Sequence, residues 1–411
     1  MAQLPDGEPS PLSGELPDFV RVGASQRTFH AYLHIPFCSI RCGYCDFNTY
    51  TASELAGVSQ ASFTSVMAHE VSLAGKLLVA ADLPKRELAT VFFGGGTPTL
   101  LPAHQLVDLL AALRSEFGVE AGAEVTVEAN PDTVDHDYFE KLATGGFTRV
   151  SIGMQSAVPS VLEVLDRSHL PENVAQAVAA AKSAGLQTSV DLIYGAPGET
   201  LDQWKQSVDA ALKLGTDHIS AYSLILEPGT KLNRQVQNRE LPEPDEDLQA
   251  DKYEWADAAF AEAGFHWYEL SNWSRSTDTK SRHNIAYWQS MDWWGFGPGA
   301  HSHIGGLRWW NQKHPSAYAT RLSEGYSPAL AREELDDATK LEERLLLELR
   351  LADGLAIDVA RQHSGFNPQE VAALIADDLL AGEAAIRGSL ILTLRGRLLA
   401  DLVLRRLIGL R

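Results

Sequence analysis

The sequence predicts an α/β protein: six β-then-α units forming a parallel sheet, then an aromatic-rich extension, then a small C-terminal module. Three observations carry that reading. Short β-like runs alternate with helical patterns from Thr28 to about Leu241, and regular β-then-α alternation gives a parallel sheet, doubly wound or curled as part of a barrel. Trp267 to Trp310 then hold seven of the nine tryptophans. From Arg332 the pattern turns helical again and ends in AAIRGSLILTLRGRLLADLVLRRLI, a hairpin-plus-helix ending compatible with a winged-helix module. The expected organisation is a flexible, acidic and proline-rich segment over 1–26, a core over 27–241, the extension over 242–331 and the C-terminal unit over 332–411.

The strand candidates are, in order, TFHAYLHI, ATVFF, EVTVEAN, RVSIGMQ, TSVDLIYG and HISAYSLIL. Between them lie helical patterns such as HQLVDLLAALRSEFG, where Leu106, Leu110, Leu113 and Phe117 share one face and Gly118 supplies a stop. In TLDQWKQSVDAALKLG the apolar stripe is Leu201, Trp204, Val208 and Leu212, and Thr200 with Gln203 makes a capping-box pattern. The unusual residues sit where each strand hands over to its helix. A cysteine loop follows the first strand, and GGGTPT (Gly94 to Thr99) follows the second. Glu128 and Asn130 close the third, Gln155 the fourth, Asp191 with YGAPGE the fifth, and Glu227 follows the sixth. In barrels of parallel strands these C-terminal ends build the active site.

Composition bounds the partners. The 411 residues carry a net charge of −20, which argues against a phosphate-backbone partner because nucleic-acid binding needs a concentrated basic surface. The C-terminal unit, with 14 Asp/Glu against 11 Lys/Arg, is therefore expected to pack or meet a protein partner, not DNA. No apolar run reaches the ~18 residues of a membrane span. The first residues have no basic start or apolar core, so a secretory signal is not expected. The three cysteines all fall within CSIRCGYC, which excludes an intramolecular disulfide framework and points to the reducing cytoplasm.

Those cysteines, Cys38, Cys42 and Cys45, are spaced C-x3-C-x2-C. Structural zinc wants four closed ligands, and His34 could complete a Cys3His set. The same loop suits three corners of an iron–sulfur cubane, leaving the fourth iron open. Spacing favours iron–sulfur over zinc, and either over three inert thiols.

With these residues in view, the chain resembles the radical S-adenosylmethionine (SAM) superfamily, which carries C-x3-C-x2-C after its first strand on a partial (β/α)6 TIM-type barrel. The resemblance implies a [4Fe–4S] cluster on Cys38, Cys42 and Cys45, with SAM chelating the fourth iron. Tyr44 fills the aromatic place before the last cysteine. Within that superfamily HIPFC, CGYCDFNTY, GGGTPT, SIGMQS, DLIYGAPGET, AYSLILEPGT, SRHNIAYW and GFGPGAHS resemble the oxygen-independent coproporphyrinogen oxidase-like subfamily. That pattern places Tyr32 and Tyr44 beside SAM, Gly95, Gly96 and Thr97 at its methionyl end, and Glu128 on its ribose. Gln155, Arg167 and Asp191 complete the site, with Ala221 along its edge.

One departure separates the branches of this subfamily. The oxidases continue to a fourth cysteine two residues after the third and have a longer N-terminal segment. Here that position is Phe47, and the segment is short. The chain is more similar to a haem-chaperone branch that carries an H-N-x-x-Y-W motif, matched by His283, Asn284, Tyr287 and Trp288. The resemblance implies haem as a ligand, acceptor haem proteins as partners and His283 as an axial ligand within a tryptophan enclosure, with His301 and His303 as further candidates. A homodimer is compatible with it. A radical enzyme acting on a porphyrin and a zinc-held interaction protein remain the alternative functions.

Overall fold

The computed structural model describes residues 7–51, 54 and 60–409. The chain starts with a two-residue strand, β1 (Glu8–Pro9), and then supplies β2 (Phe29–Ile35), β3 (Leu88–Gly95), β4 (Val119–Ala129), β5 (Arg149–Gln155), β6 (Gln187–Tyr194) and β7 (His218–Ser223). Strands β2 to β7 lie side by side in chain order, every neighbouring pair parallel. Each crossover carries helix: α1 (Gln60–Ala80), α2 (Ala103–Glu116), α3 (His136–Gly145), α4 (Pro159–Val164) with α5 (Pro171–Ser183), and α6 (Leu201–Lys213). Local sequence accounts for these elements. Leu106, Leu110 and Leu113 of α2 are fully buried, and Thr200 with Gln203 closes the capping box of α6. The last expected strand stops at Ser223, short of Leu226. There Leu224 N–H turns to the Tyr194 carbonyl at 2.8 Å and Ile225 swings into solvent.

Alternation along these strands shows that the sheet is curled. One face carries Leu33, Val91, Val127, Ile152, Val190 and Ile219, all buried in a single apolar core with the helices. The other face carries Tyr32, Phe92, Thr126, Ser151, Asp191 and Ser220, and all six line one cavity of about 510 Å³. Residues from the first and last strands can share a cavity only if the arc bends round on itself. This is the expected partial (β/α)6 barrel.

Beyond the barrel come α7 (Lys231–Gln237), α8 (Glu246–Glu262) and a hairpin of β8 (His266–Glu269) and β9 (Asn272–Ser274), which adds antiparallel to β7. Next, α9 (Arg282–Trp288) leads to β10 (Asp292–Phe296), which pairs parallel with β2 on its free side. Strands β11 (His301–Ile304), β12 (Leu307–Asn311) and β13 (Ala329–Glu334) complete an antiparallel meander, with α10 (Pro315–Ser323) before β13. The extension thus continues the barrel's own sheet at both edges and shares its core, because Trp273, Trp294 and Trp309 belong to the same buried cluster as Leu33 and Val91.

Residues 7–26, expected as a flexible segment, lie against this sheet. Glu8 and Pro9 pair with Arg332 and Ala331, and Val20 and Ala24 are buried. The apolar pair supplies the burial that the surrounding acidic, proline-rich composition conceals. The C-terminal unit has a core of its own, centred on Leu345, Leu374, Leu390 and Val403. It comprises α11 (Asp337–Glu348), short helices and a two-stranded ladder of β14 (Leu355–Ala356) and β15 (Ser389–Leu390). Arg397 docks it on the extension. Its guanidinium forks onto Asp257 at 2.7 and 2.8 Å and lies 4.4 Å from the Trp267 ring centroid. Among the described residues no helix is long and apolar enough to cross a membrane.

Candidate functional site

The loop leaving β2 carries the three thiols, each free and half-buried, and all line the cavity. Backbone bonds tie the start of the loop. Cys38 N–H donates to the Tyr50 carbonyl at 3.0 Å and Tyr50 N–H returns to the Pro36 carbonyl at 2.7 Å. Thr97 N–H donates to the Phe37 carbonyl at 2.7 Å, which seats the GGGTPT turn against the loop. Further along, the Asn48 amide donates to the carbonyls of Pro298 at 3.0 Å and Lys313 at 2.8 Å, so the extension anchors the loop. Two glycines are required here. Gly95 holds φ +112°, and a Cβ on Gly96 would stand 2.5 Å from the Phe37 carbonyl oxygen and 3.0 Å from Cys38 Sγ.

Burial pushes the Cys38 thiol up and the Cys45 thiol to about 11. The thiolate is the metal ligand, so binding a cation here must drive off these protons. Arg167 Nη1 lies 3.5 Å from Cys42 Sγ. Deeper in the cavity, desolvation and the nearby Asp191 carboxylate push Glu128 up to about 8, although Gly95 N–H donates to it at 3.1 Å. Burial also holds Asp191 above the usual carboxylate range, while Ser151 Oγ donates to it at 2.9 Å. Gln155 sits at the β5 bulge with φ +55°, a sparsely populated conformation for a residue with a side chain. Gln155 Oε1 and Arg167 Nε are buried without a hydrogen-bond partner. Buried polar atoms are nearly always paired, so these two fit a cavity built to receive a polar ligand beside the thiols.

The structure brings together nearly all of the residues that the sequence singled out. Tyr32, Tyr44, Gly95, Gly96, Thr97, Glu128, Gln155, Arg167 and Asp191 line the same cavity as Cys38, Cys42 and Cys45. Ala221 does not. Its methyl group lies in the helix-side core, 1% exposed, and its N–H donates to the Ser271 carbonyl at 2.8 Å. His34 is not a fourth ligand beside the thiols, because Nε2 donates to the Asn48 carbonyl at 2.8 Å and Nδ1 accepts from Tyr32 Oη at 3.0 Å.

The residues expected to hold haem are placed differently. His283, on α9, faces the cavity floor with both ring nitrogens engaged, Nδ1 with Thr90 Oγ1 at 2.6 Å and Nε2 with Tyr287 Oη at 3.0 Å. It stacks on Phe92, and burial drives it well below the usual histidine range. His303 is buried, with Nδ1 on the Met291 carbonyl and Nε2 accepting from Gly306 N–H. His301 stands exposed beside the Trp310 ring. Trp273, Trp294, Trp309 and Trp310 are at most 8% exposed, so protein side chains fill the enclosure expected among them.

Arg149, His218, Tyr222 and Asn272 also line the cavity and escaped the sequence reading. A signal for three of them was present. Polar residues recur at every second position in Arg149–Ser151, Ser189–Asp191 and His218–Ser220–Tyr222, whereas parallel strands buried on both faces read as near-continuous apolar runs.

A curled parallel sheet with a three-thiol loop at the C-terminal end of its first strand defines a barrel of the radical SAM type, and the Radical SAM superfamily model matches residues 32–211. The chain belongs to that superfamily and, within it, to the family of proteins named Heme chaperone HemW. It is 46% identical to the Mycobacterium tuberculosis protein of that name over 93% of this chain and 95% of the relative. The Bacillus subtilis protein of the same name is 32% identical over 92% of this chain and 99% of the relative. Among solved structures, coproporphyrinogen III oxidase (HemN) from Escherichia coli superposes with a TM-score of 0.77 at 22% identity, covering 93% of this chain and 90% of that one. That likeness extends to the fold.

Proposed function

We propose that this protein is a haem chaperone: it binds haem and delivers it to acceptor haem proteins from a core that holds a [4Fe–4S] cluster and SAM. The observation that carries the reading is the near end-to-end likeness to relatives named Heme chaperone HemW. Cys38, Cys42 and Cys45 hold the cluster. When bound, the cluster supplies one iron with an open coordination position for SAM, and an electron. Gly95, Gly96 and Thr97 let the cofactor approach the backbone beside the thiols. Glu128, largely protonated at neutral pH, offers a hydroxyl as donor as well as an acceptor oxygen to the ribose. Gln155 Oε1, Arg167 Nε and Asp191 receive the remaining polar groups, with Tyr32 and Tyr44 as walls. The compartment is the cytoplasm.

The test is transfer. Anaerobically reconstituted protein should pass bound haem to an apo-haem protein faster than free haem dissociates from it. With SAM and a strong reductant it should leave coproporphyrinogen III unconverted. Decarboxylation by the wild type that is lost in Cys38→Ala would restore the oxidase instead.

A further inference from the structure

We propose that the apolar rim of the cavity mouth is a porphyrin-binding slot that grips the macrocycle by its faces and one of its carboxylates through Arg41, with no axial ligand from the extension. This rests on the haem reading above and locates its ligand. The rim is built from Ile40 and Phe47 on the thiol loop and from Tyr222 and Ile225 at the end of β7. They are 58, 55, 45 and 65% exposed respectively, and all four line the same cavity. Singly scattered apolar residues on a surface need no explanation, but a cluster around a cavity marks a binding site. The two groups come from opposite ends of the arc, the loop after β2 and the end of β7, and line the same cavity, so the slot runs between them as between two apolar jaws.

Such jaws suit a flat ligand, and Arg41, on the same loop as Ile40 and Phe47, offers a cation to one that carries carboxylates. In a chain of net charge −20, Arg41 lines the cavity and its guanidinium donates to the Thr49 carbonyl. Its ion pair with Glu54, at 3.2 Å, is 44% and 40% exposed on its two sides. Exposed pairs of this kind are weak, so a propionate can take the place of Glu54. A porphyrin offers both features, an apolar plate and carboxylate side chains. In the tryptophan-rich extension, Trp273, Trp294, Trp309 and Trp310 are buried, and the exposed His301 does not line the cavity. The two histidines that line the cavity, His218 and His283, have both ring nitrogens engaged. Recognition through ring faces and a carboxylate does not need iron.

The experiment titrates the cluster-reconstituted protein with metal-free protoporphyrin IX by fluorescence and with haem by its Soret band. Wild type should bind both within about threefold of each other. Phe47→Asp and Ile225→Asp should each weaken both ligands by about tenfold or more, the loss expected for one exposed apolar contact replaced by a charge. Arg41→Gln should weaken protoporphyrin IX severalfold but leave its dimethyl ester unaffected. Ile386→Asp, at a C-terminal residue that is 89% exposed, should bind as wild type, and unchanged iron and sulfide content shows that each variant is folded. Haem binding without binding of the metal-free ring would overturn the slot by showing that iron ligation is required. So would wild-type affinity in both Asp variants, or a loss of transfer to the acceptor with porphyrin binding intact, which would make the rim the acceptor's surface. A wild type that binds neither ring refutes the chaperone reading itself.

Discussion

Replacing Glu128 with glutamine should change how the stability of this protein depends on pH. Glu128 faces the cavity with its ordinary value of 4.5 raised to about 8 by desolvation and by Asp191. Between those two values the folded chain holds a proton that the unfolded chain has released, so folding takes up a proton. The stability contributed by the neutral carboxyl is therefore complete below about pH 4.5 and is lost progressively as the pH rises to about 8. At ~1.4 kcal/mol for each pH decade the loss reaches about 5 kcal/mol at most. Water admitted to the open cavity screens the charge and brings the realised figure below that bound. Glutamine carries no proton to lose. Urea unfolding of the SAM-free protein, wild type and Glu128→Gln, at pH 5 and pH 8.5 isolates this residue together with its coupling to Asp191, because titrating groups that do not interact with Glu128 cancel between the two chains. The variant should gain several kcal/mol relative to wild type on going from the lower pH to the higher. A gap between the two chains that does not change with pH, or one that shrinks, would refute the argument and return Glu128 to an ordinary ionised carboxylate.

Gly96→Ala should cut iron and sulfide per chain by more than half at unchanged far-UV circular dichroism, because its methyl group would crowd the Phe37 carbonyl and Cys38 Sγ; full cluster loading would show that the loop can move away at no cost. Arg397→Ala leaves the partly buried Asp257 without its cation, which should cost about 1.5–3 kcal/mol. Limited proteolysis should then cut near residue 336 far faster than in wild type, and equal cutting rates would mean that the apolar contacts alone dock the unit. His283→Ala should lower stability by about 1–3 kcal/mol for each partner it strands, since Thr90 and Tyr287 both lose a bond. Its haem Soret band should persist. Disappearance of that band would return the iron to His283.

The sequence by itself determined the parts that depend on local periodicity and on the chemistry of single residues. Helix α2 follows from its leucine stripe, the start of α6 from Thr200 and Gln203, and the thiol loop from three cysteines close together, each readable within a turn or two of chain. Position along the chain also marked Glu128, Gln155 and Asp191, because strand ends in a parallel array converge whatever the details of packing. Only the tertiary structure decided what the extension does. Whether a histidine is a free ligand or a satisfied member of the floor depends on Thr90, far away in sequence and brought into hydrogen-bonding distance by the curl of the sheet. The same closure turned most of the tryptophans inward, where they complete the barrel's core, and set Ala221 with its methyl group away from the cavity. It also left Ile40, Phe47 and Ile225 in solvent at the mouth. In the sequence these read as ordinary apolar residues, because exposure is a property of where the chain ends up and not of its local pattern.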